Sequence, residues 1–420
     1  MFQFIHAADI HLDSPLRGLS LYESAPAESI RDACRKAFVR LVDFAIEEKV
    51  KFVLLAGDLY DGDWKDFSTG LFLSKQIGRL GKHDIDVYSV SGNHDAANRM
   101  TKSLKNPKNM TTFSTRKAET VRIDDLKVAI HGQSYPKQHV DENLANGYPM
   151  AERGFLNIGI LHTSLNGYEG HADYAPCTTD ELTSKGYHYW ALGHVHTREI
   201  VSQDPWIVFP GCIQGRHIRE TGTKGCMLVT VEDEEITEVK PIALDVFRFV
   251  QCAVDLTDFD ELVKALEHTQ KLMEEERSAA ENLPIAMRIR FEGATRLARE
   301  IAASPGGFEQ QIRALAAEIG GEGLWIERVE NALEDKLDLS AALTDDGPLQ
   351  DLLVGVMATS CRTDDIEGLL SVMTELRKKL PNAFNSESSL NLDAEKTVAR
   401  LVEEAKQMLV GRLLTMGAAE

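Results

Sequence analysis

Asp9-Ile10-His11, Gly57-Asp58, Gly92-Asn93-His94-Asp95, His131-Gly132, Leu161-His162-Thr163 and Gly193-His194-Val195-His196 are six short polar islands, most of them following directly on an apolar run. A pattern of this kind projects carboxylates, an amide and imidazoles from one edge of a sheet. Hard and borderline divalent ions prefer this mixture of oxygen and nitrogen donors, and no cysteine is among them. The chemistry it points to is metal-assisted hydrolysis. Two ions roughly 3.5–4 Å apart need one bridging carboxylate and separate ligands on either side. Asp58 is placed to bridge, because Gly57 lets the backbone turn sharply after Val53-Leu54-Leu55-Ala56. Asp9 and His11 alternate just past the first apolar run and can grip one ion together. Asn93 offers a neutral amide oxygen, and His162, His194 and His196 offer neutral imidazole nitrogens. His94 follows Asn93 immediately, so its ring points differently and is free to act as a general acid. Each piece alone has a bland reading. A strand-terminal histidine is often a capped structural residue, and Gly-Asn-His-Asp also suits a turn with the asparagine in the left-handed conformation. The force lies in their occurring together, each at an expected strand end, between Asp9 and His196.

The elements that must hold these donors are legible in the apolar spacing. Phe2–Ala8, Lys51–Ala56 and Asp86–Val90 read as strands. Ser29 to Lys49 repeats Cys34, Phe38, Leu41, Val42 and Ala45 at helical spacing, and Phe67–Leu80 is a second amphipathic helix. This βαβαβ start implies a mainly parallel sheet with right-handed crossovers, in which function gathers at the carboxyl ends of the strands. Further strands are expected at Lys127–His131, Phe155–Leu161, Tyr187–Leu192, Trp206–Phe209, Cys226–Val231 and Glu238–Ile242. The later ones lack intervening helices and are expected to form a second, antiparallel sheet. The fold class is therefore α/β: a two-layer β-sandwich flanked by helices over residues 1–245. Residues 246–335 read as a small α+β domain: strand Phe247–Leu256, helix Asp258–Glu276, strand Pro284–Phe291, helix Gly307–Ile319 and strand Leu324–Val329. Residues 336–420 read as a helical region, with apolar spacing over Leu352–Met357, Ile366–Leu376 and Val398–Leu414 that suits packing on each other or on a partner.

At 420 residues, two or three domains are expected. The apolar fraction of 43% and charged fraction of 27% are those of a globular protein, and no apolar run approaches the ~20 residues that span a bilayer. The start lacks a basic segment ahead of an apolar one, so no signal peptide is expected. Six cysteines without CxxC spacing fit reduced thiols in a cytoplasm and argue against a zinc ribbon. The formal charge of −20 disfavours phosphate contact, but it is uneven. Residues 1–245 hold 27 Lys+Arg against 34 Asp+Glu, and residues 246–420 hold 19 against 32. Bound divalent ions would add positive charge to the first part, where a phosphate would sit.

In this order, Asp9-x-His11, Gly57-Asp58, Gly92-Asn93-His94-Asp95, His162 and Gly193-His194-x-His196 resemble the calcineurin-like metallophosphoesterase superfamily. The wording AADIHLDSP, LLAGDLYD and VSGNHD is similar to that of the SbcD-type DNA repair exonucleases. The resemblance is specific over residues 1–220 and weaker afterwards. It implies that Asp9, His11, Asp58 and His196 hold one ion, that Asp58, Asn93, His162 and His194 hold the other, and that manganese is the metal. It implies that His94 protonates the leaving alkoxide. It further implies DNA as substrate and an SbcC-type, SMC-like ATPase bound through the C-terminal helices, with a homodimer also admissible. One departure is informative: acid phosphatases of the superfamily carry a tyrosine three residues after the bridging carboxylate, where this chain has Asp61.

Other residues remain open. Arg216, His217 and Arg219, with Lys224, either contact substrate phosphates or belong to a solvated turn. Lys102, Lys105, Lys108, Arg116 and Lys117 are a basic segment that could line a phosphodiester backbone. His131 reads as a structural histidine or as a donor behind the ligands. Two other functions compete with a nuclease: a small-molecule phosphodiesterase or phosphatase of the same fold, and a non-catalytic scaffold of a repair complex.

Overall fold

The computed structural model describes residues 1–14, 32–61, 67–97, 106–165, 174–336 and 348–358, with 405, 406 and 409. β1 (Phe2–Ala7), β2 (Phe52–Ala56) and β3 (Asp86–Val90) are parallel neighbours, with α1 (Ala33–Glu47) and α2 (Ser68–Gly81) in the two connections. The helices form where expected because their apolar residues recur every three or four positions. In α1 the buried residues are Ala33, Cys34, Ala37, Phe38, Leu41, Val42 and Ala45. They pack with Ile5, Val53 and Leu55 from one face of the sheet, and each large side chain buried there contributes roughly 1.5–3 kcal/mol. After β3 come the short helix α3 (Asn93–Ala97) and strand β4 (Met110–Thr112), which pairs parallel with β3.

A second sheet is built from β5 (Glu119–Ile123), β6 (Val128–Gly132), β7 (Leu156–His162), β8 (Tyr189–Gly193), β9 (Glu199–Gln203) and β10 (Trp206–Phe209), in the order β5-β6-β7-β8-β10-β9. The short helix α4 (Thr179–Thr183) lies between β7 and β8. β11 (Gly225–Glu232) and β12 (Glu235–Ala243) complete the first sheet, whose order is β12-β11-β1-β2-β3-β4. The two sheets face each other through Phe4, Phe52, Leu54 and Tyr88 on one side and Ile130, Ile158, Ile160 and Tyr189 on the other. The α/β sandwich flanked by helices is therefore the observed architecture.

The second sheet corrects one expectation. β6, β7, β8 and β10 run parallel, and β11 and β12 belong to the first sheet, where β11 lies antiparallel to β1. Parallel neighbours need a crossover of a dozen or more residues. The connections from β6 to β7 and from β7 to β8 are long enough, but among the described residues they contain no long helix whose periodicity would reveal them. β4, β5 and β9, short and half exposed, were not expected either.

The chain divides into two compact units: Met1–Cys252 with Gln270–Ile289 and Arg313–Val329, and Ala253–Thr269 with Arg290–Ile312 and Glu330–Glu420. β13 (Arg248–Asp255), β14 (Ile285–Thr295) and β15 (Leu324–Asp335) make a three-stranded sheet in that order. The helices of this region are α5 (Leu262–Ala279), α6 (Leu297–Ala303) and α7 (Pro305–Gly320). α5 starts four residues later than its sequence suggests, and α6 was not foreseen. In the first unit Phe247, Phe249, Ala286 and Trp325 pack together, and Arg288 grips Glu327 through two nitrogens, each at 2.7 Å. In the second unit Phe259 stacks on His268, and Thr295 Oγ1 donates to the Phe259 carbonyl. α8 (Pro348–Ala358) agrees with the helix read over Leu352–Met357. The helices read over Ile366–Leu376 and most of Val398–Leu414 lie outside the described residues.

Candidate metal centre

Four of the donors named from sequence sit on left-handed backbone: Asp9 (φ 50°), His11 (φ 46°), Asp58 (φ 50°) and His194 (φ 100°). For a residue with a Cβ this conformation costs roughly 1–2 kcal/mol, and it persists only where the surroundings over-determine it. Here two loops fasten each other. Asp9 N donates to Gly57 O (3.1 Å), His11 N to Asp58 O (2.9 Å) and Leu12 N to Leu59 O (2.9 Å), so the turns after β1 and β2 run side by side. The turn after β3 joins them through Asp95, whose carboxylate accepts from Tyr60 N (3.0 Å) and Gly92 N (3.1 Å). Asn93 opens helix α3 and is not left-handed, so the turn alternative for Gly-Asn-His-Asp is not adopted. The turn after β8 comes in through His194 N, which donates to both oxygens of Asp9 (3.1 and 3.0 Å).

Asp58 lies at the middle. Its Oδ1 accepts from His94 N (2.9 Å), while Oδ2 stands 3.5 Å from His162 Nε2 and 3.9 Å from His11 Nε2. Metal-sized groupings of ligand atoms are Asp9 with His11 and His196, His11 with Asp58 and His94, and Asp9 with Asp58 and His162. His194 packs its ring 5.2 Å from that of His162.

The protonation states imposed by the outer partners test whether cations fit. His162 Nδ1 donates to the Ala56 carbonyl (3.0 Å), which leaves Nε2 with a bare lone pair. That lone pair faces Asn93 Oδ1 at 3.0 Å and Asp58 Oδ2 at 3.5 Å. His196 Nδ1 lies 2.7 Å from Glu220 Oε1, which can only accept, and 3.1 Å from Arg216 Nη2, which can only donate; the shorter contact makes Nδ1 the donor to Glu220. Its Nε2 is then bare too, and faces His11 Nε2 at 3.3 Å and Asp9 Oδ1 at 3.9 Å. Acceptors turned on acceptors at these distances repel, and cations among them remove the repulsion. Burial and the neighbouring Asp58 charge push the Asp9 carboxyl well up, while burial pushes His162 down and His11 well down. A buried set of carboxylates and neutral imidazoles is what divalent ions require.

His94, with a side chain 37% exposed, is more open than the fully buried His11 and His162. Its Nδ1 lies 2.8 Å from Asp61 Oδ1, and that hydrogen bond raises its pKa, favouring the protonated ring a general acid needs. Burial alone would raise the Asp61 carboxyl, but hydrogen bonds from His94 and Ser14 (2.5 Å) and the Arg216 charge outweigh it and hold the group at about 2. Glu220 is similar: burial opposes ionisation, yet His196 and Arg216 together hold it far below the usual carboxylate range.

Asp61, Asp95, Arg216 and Glu220 were not assigned these roles from sequence. A carboxylate at Glu220, 24 residues beyond His196, carries no local signal; only its position four residues after Arg216 hints at a pair. Of the residues read as phosphate contacts, Arg216 has a side chain only 11% exposed and lies between Glu220 and Asp61. His217 is half exposed, 3.4 Å from Glu220 Oε1, and Arg219 is exposed. Lys108, Arg116 and Lys117 are exposed, whereas Lys102 and Lys105 lie outside the described residues. His131 is a structural residue: it is buried between Thr120 Oγ1 (2.8 Å) and Asn157 Oδ1 (3.0 Å) and stacked on Tyr187.

Known proteins resemble this chain. Residues 2–198 match the family model of calcineurin-like phosphoesterases, and residues 249–334 match the middle domain of metallophosphoesterase YhaO. Metallophosphoesterase YhaO of Bacillus subtilis is 33% identical over 370 residues, which cover 87% of this chain and 89% of that protein. The DNA double-strand break repair protein Mre11 of Sulfolobus acidocaldarius is 25% identical over 202 residues, 47% of this chain and 50% of that one. The match thus spans only about half of the archaeal protein. A dimetal phosphatase of known structure from Danio rerio overlaps 55% of this chain and 93% of its own, at 13% identity and a TM-score of 0.34. With a relative matched at this identity along nearly its full length, the chain belongs to the calcineurin-like metallophosphoesterase family.

Proposed function

We propose that this chain is a two-metal nuclease that hydrolyses phosphodiester bonds of DNA. Asp9, His11, Asp58 and His196 would hold one ion and Asp58, Asn93, His162 and His194 the other, with manganese as the metal. When bound, such a pair supplies Lewis acidity and an activated water at neutral pH. The chain's own contribution is a fixed proton donor. His94, oriented by Asp61 and anchored through its backbone N–H to Asp58, protonates the leaving alkoxide. The observation that carries the reading is this pairing of a bridging carboxylate with an imidazole acid on the adjacent backbone. An alkoxide leaves poorly without a proton, so an acid in this place suits a diester of ordinary alcohols. The similarity of the N-terminal half to Mre11 supports nucleic acid as the substrate.

The proposal keeps three regions: the catalytic domain 1–245, an α+β cap 246–335 and a helical region 336–420 that docks an SMC-like ATPase. No helix among the described residues is long and apolar enough to cross a membrane. The deciding assay sets linear single- and double-stranded DNA beside bis-p-nitrophenyl phosphate, with Mn²⁺ and with EDTA. Manganese-dependent DNA cleavage is expected. Turnover of the small ester alone would remove DNA from the proposal.

A further inference from the structure

We infer that Arg216 is a positioning residue, which ties the carboxylate orienting the proton donor to the carboxylate orienting a metal-ligand histidine. Arg216 Nη1 lies 3.7 Å from Asp61 Oδ2, and Nη2 lies 3.1 Å from Glu220 Oε1. Its backbone N–H donates to Glu220 Oε2 at 2.7 Å, so the same residue holds both oxygens of that carboxylate. Beyond the two carboxylates stand the working groups: Asp61 Oδ1 is 2.8 Å from His94 Nδ1, and Glu220 Oε1 is 2.7 Å from His196 Nδ1. The chain of contacts His94–Asp61–Arg216–Glu220–His196 links two turns that are distant in sequence. It joins the acid to one end of the donor cluster.

Two features separate this role from a phosphate contact. The guanidinium is largely buried, its Nη1 faces Asp61, and its Nη2 faces Glu220 and also lies 3.1 Å from His196 Nδ1. Its buried Nε has no hydrogen-bond partner among the described residues, so charge rather than a filled set of hydrogen bonds holds the group there. A planar fork with separated nitrogens suits two carboxylates on different turns better than the single compact charge of a lysine. Without Arg216, Asp61 and Glu220 would face each other across the site as unrelieved like charges, and each would let its histidine turn.

The inference rests on the phosphodiesterase reading but not on DNA as the substrate. The experiment compares the full chain with Arg216→Met, Asp61→Asn and Glu220→Gln by two measurements. One is a calorimetric Mn²⁺ titration. The other is the dependence of rate on leaving-group acidity across a series of methyl aryl phosphodiesters, which steepens when proton donation is lost. Asp61→Asn is expected to steepen that dependence without weakening either ion. Glu220→Gln is expected to weaken one ion by roughly 10–100-fold, the usual effect of losing a partner behind a ligand, without changing the steepness. Arg216→Met is expected to do both. Should the methionine variant fail to melt cooperatively, Arg216→Lys takes its place, with both effects expected in the same direction and smaller. A change in only one measurement, or a raised KM alone, overturns the bridge. A wild-type chain that turns over no diester sinks the hydrolase reading, and the Mn²⁺ titration then decides the Arg216–Glu220 link by itself.

Discussion

Gly193→Ala tests whether the join between the two sheets sets the metal centre. Gly193 ends β8, and a Cβ built there would overlap the carbonyl oxygen of Ala56, the last residue of β2, and stand 3.0 Å from His162 Nδ1. That same carbonyl accepts the His162 Nδ1 proton at 3.0 Å and so fixes which nitrogen of the ring is bare. An added methyl must push the Ala56 carbonyl or the end of β8 aside by on the order of 1 Å to reach an ordinary carbon–oxygen separation. Overpacking of this kind costs about 1–3 kcal/mol of stability. Freeing the imidazole adds a second loss, roughly 10–100-fold in metal affinity, or about 1.4–2.7 kcal/mol. Urea unfolding of the metal-free protein reads the first, and calorimetric titration with Mn²⁺ reads the second. Gly78→Ala is the control. It lies inside α2 with nothing within 4 Å of its added Cβ, so it is expected to stabilise the protein by roughly 0.5–1 kcal/mol and leave the ions alone. If Gly193→Ala unfolds at the wild-type midpoint and takes up both ions with wild-type affinity, the reasoning from the Ala56 carbonyl is wrong.

Three further outcomes follow from the roles assigned. Asp58→Ala is expected to lose both ions and with them activity; metal analysis that still finds two ions per chain would show that the bridge is misassigned. His94→Ala is expected to keep both ions while turnover falls by roughly 10²–10⁴, which metal analysis beside steady-state kinetics will separate. Asp61→Asn puts a neutral amide in place of the carboxylate whose hydrogen bond and charge raise the His94 pKa. A general acid works while protonated, so activity falls as pH rises through that pKa, and the alkaline limb of the pH–rate profile is expected to move to lower pH. An alkaline limb that stays in place would mean that another group supplies the proton.

The parallel start of the fold was legible because each apolar run was short and closed by Gly or Asp, and because α1 and α2 carried their apolar residues on one face. The donors were legible for a related reason: in such sheets strand ends are where polar residues gather. The parallel core of the second sheet was not legible, since among the described residues its crossovers carry no long helix to leave a periodic trace. The pairing of Arg216 with Glu220 and Asp61 was not legible for a different reason. In sequence Arg216 and Glu220 are a basic and an acidic residue four apart in a glycine-rich stretch, the same pattern a solvated turn shows. Only the burial of both, and the arrival of Asp61 from the turn after β2, distinguishes the two.

The charge of the whole chain was a poor guide to the site. Asp9, Asp58, Asp61, Asp95 and Glu220 lie buried or nearly so around it, with Arg216 between two of them. Burial and the Asp58 charge raise the Asp95 carboxyl to about 7 and push Asp9 well up, so without cations these two resist ionisation. Asp61 and Glu220, which Arg216 faces, are held down instead. The carboxylates therefore fall into two classes. Asp9 and Asp95 accept their hydrogen bonds from backbone N–H groups, whereas Asp61 and Glu220 are faced by histidines and by Arg216. That division, together with the left-handed backbone at Asp9, His11, Asp58 and His194, is a cost the fold sustains at this site. It is intelligible if two divalent cations from outside the chain complete the set around Asp9 and Asp58, while Arg216 completes the pair Asp61 and Glu220.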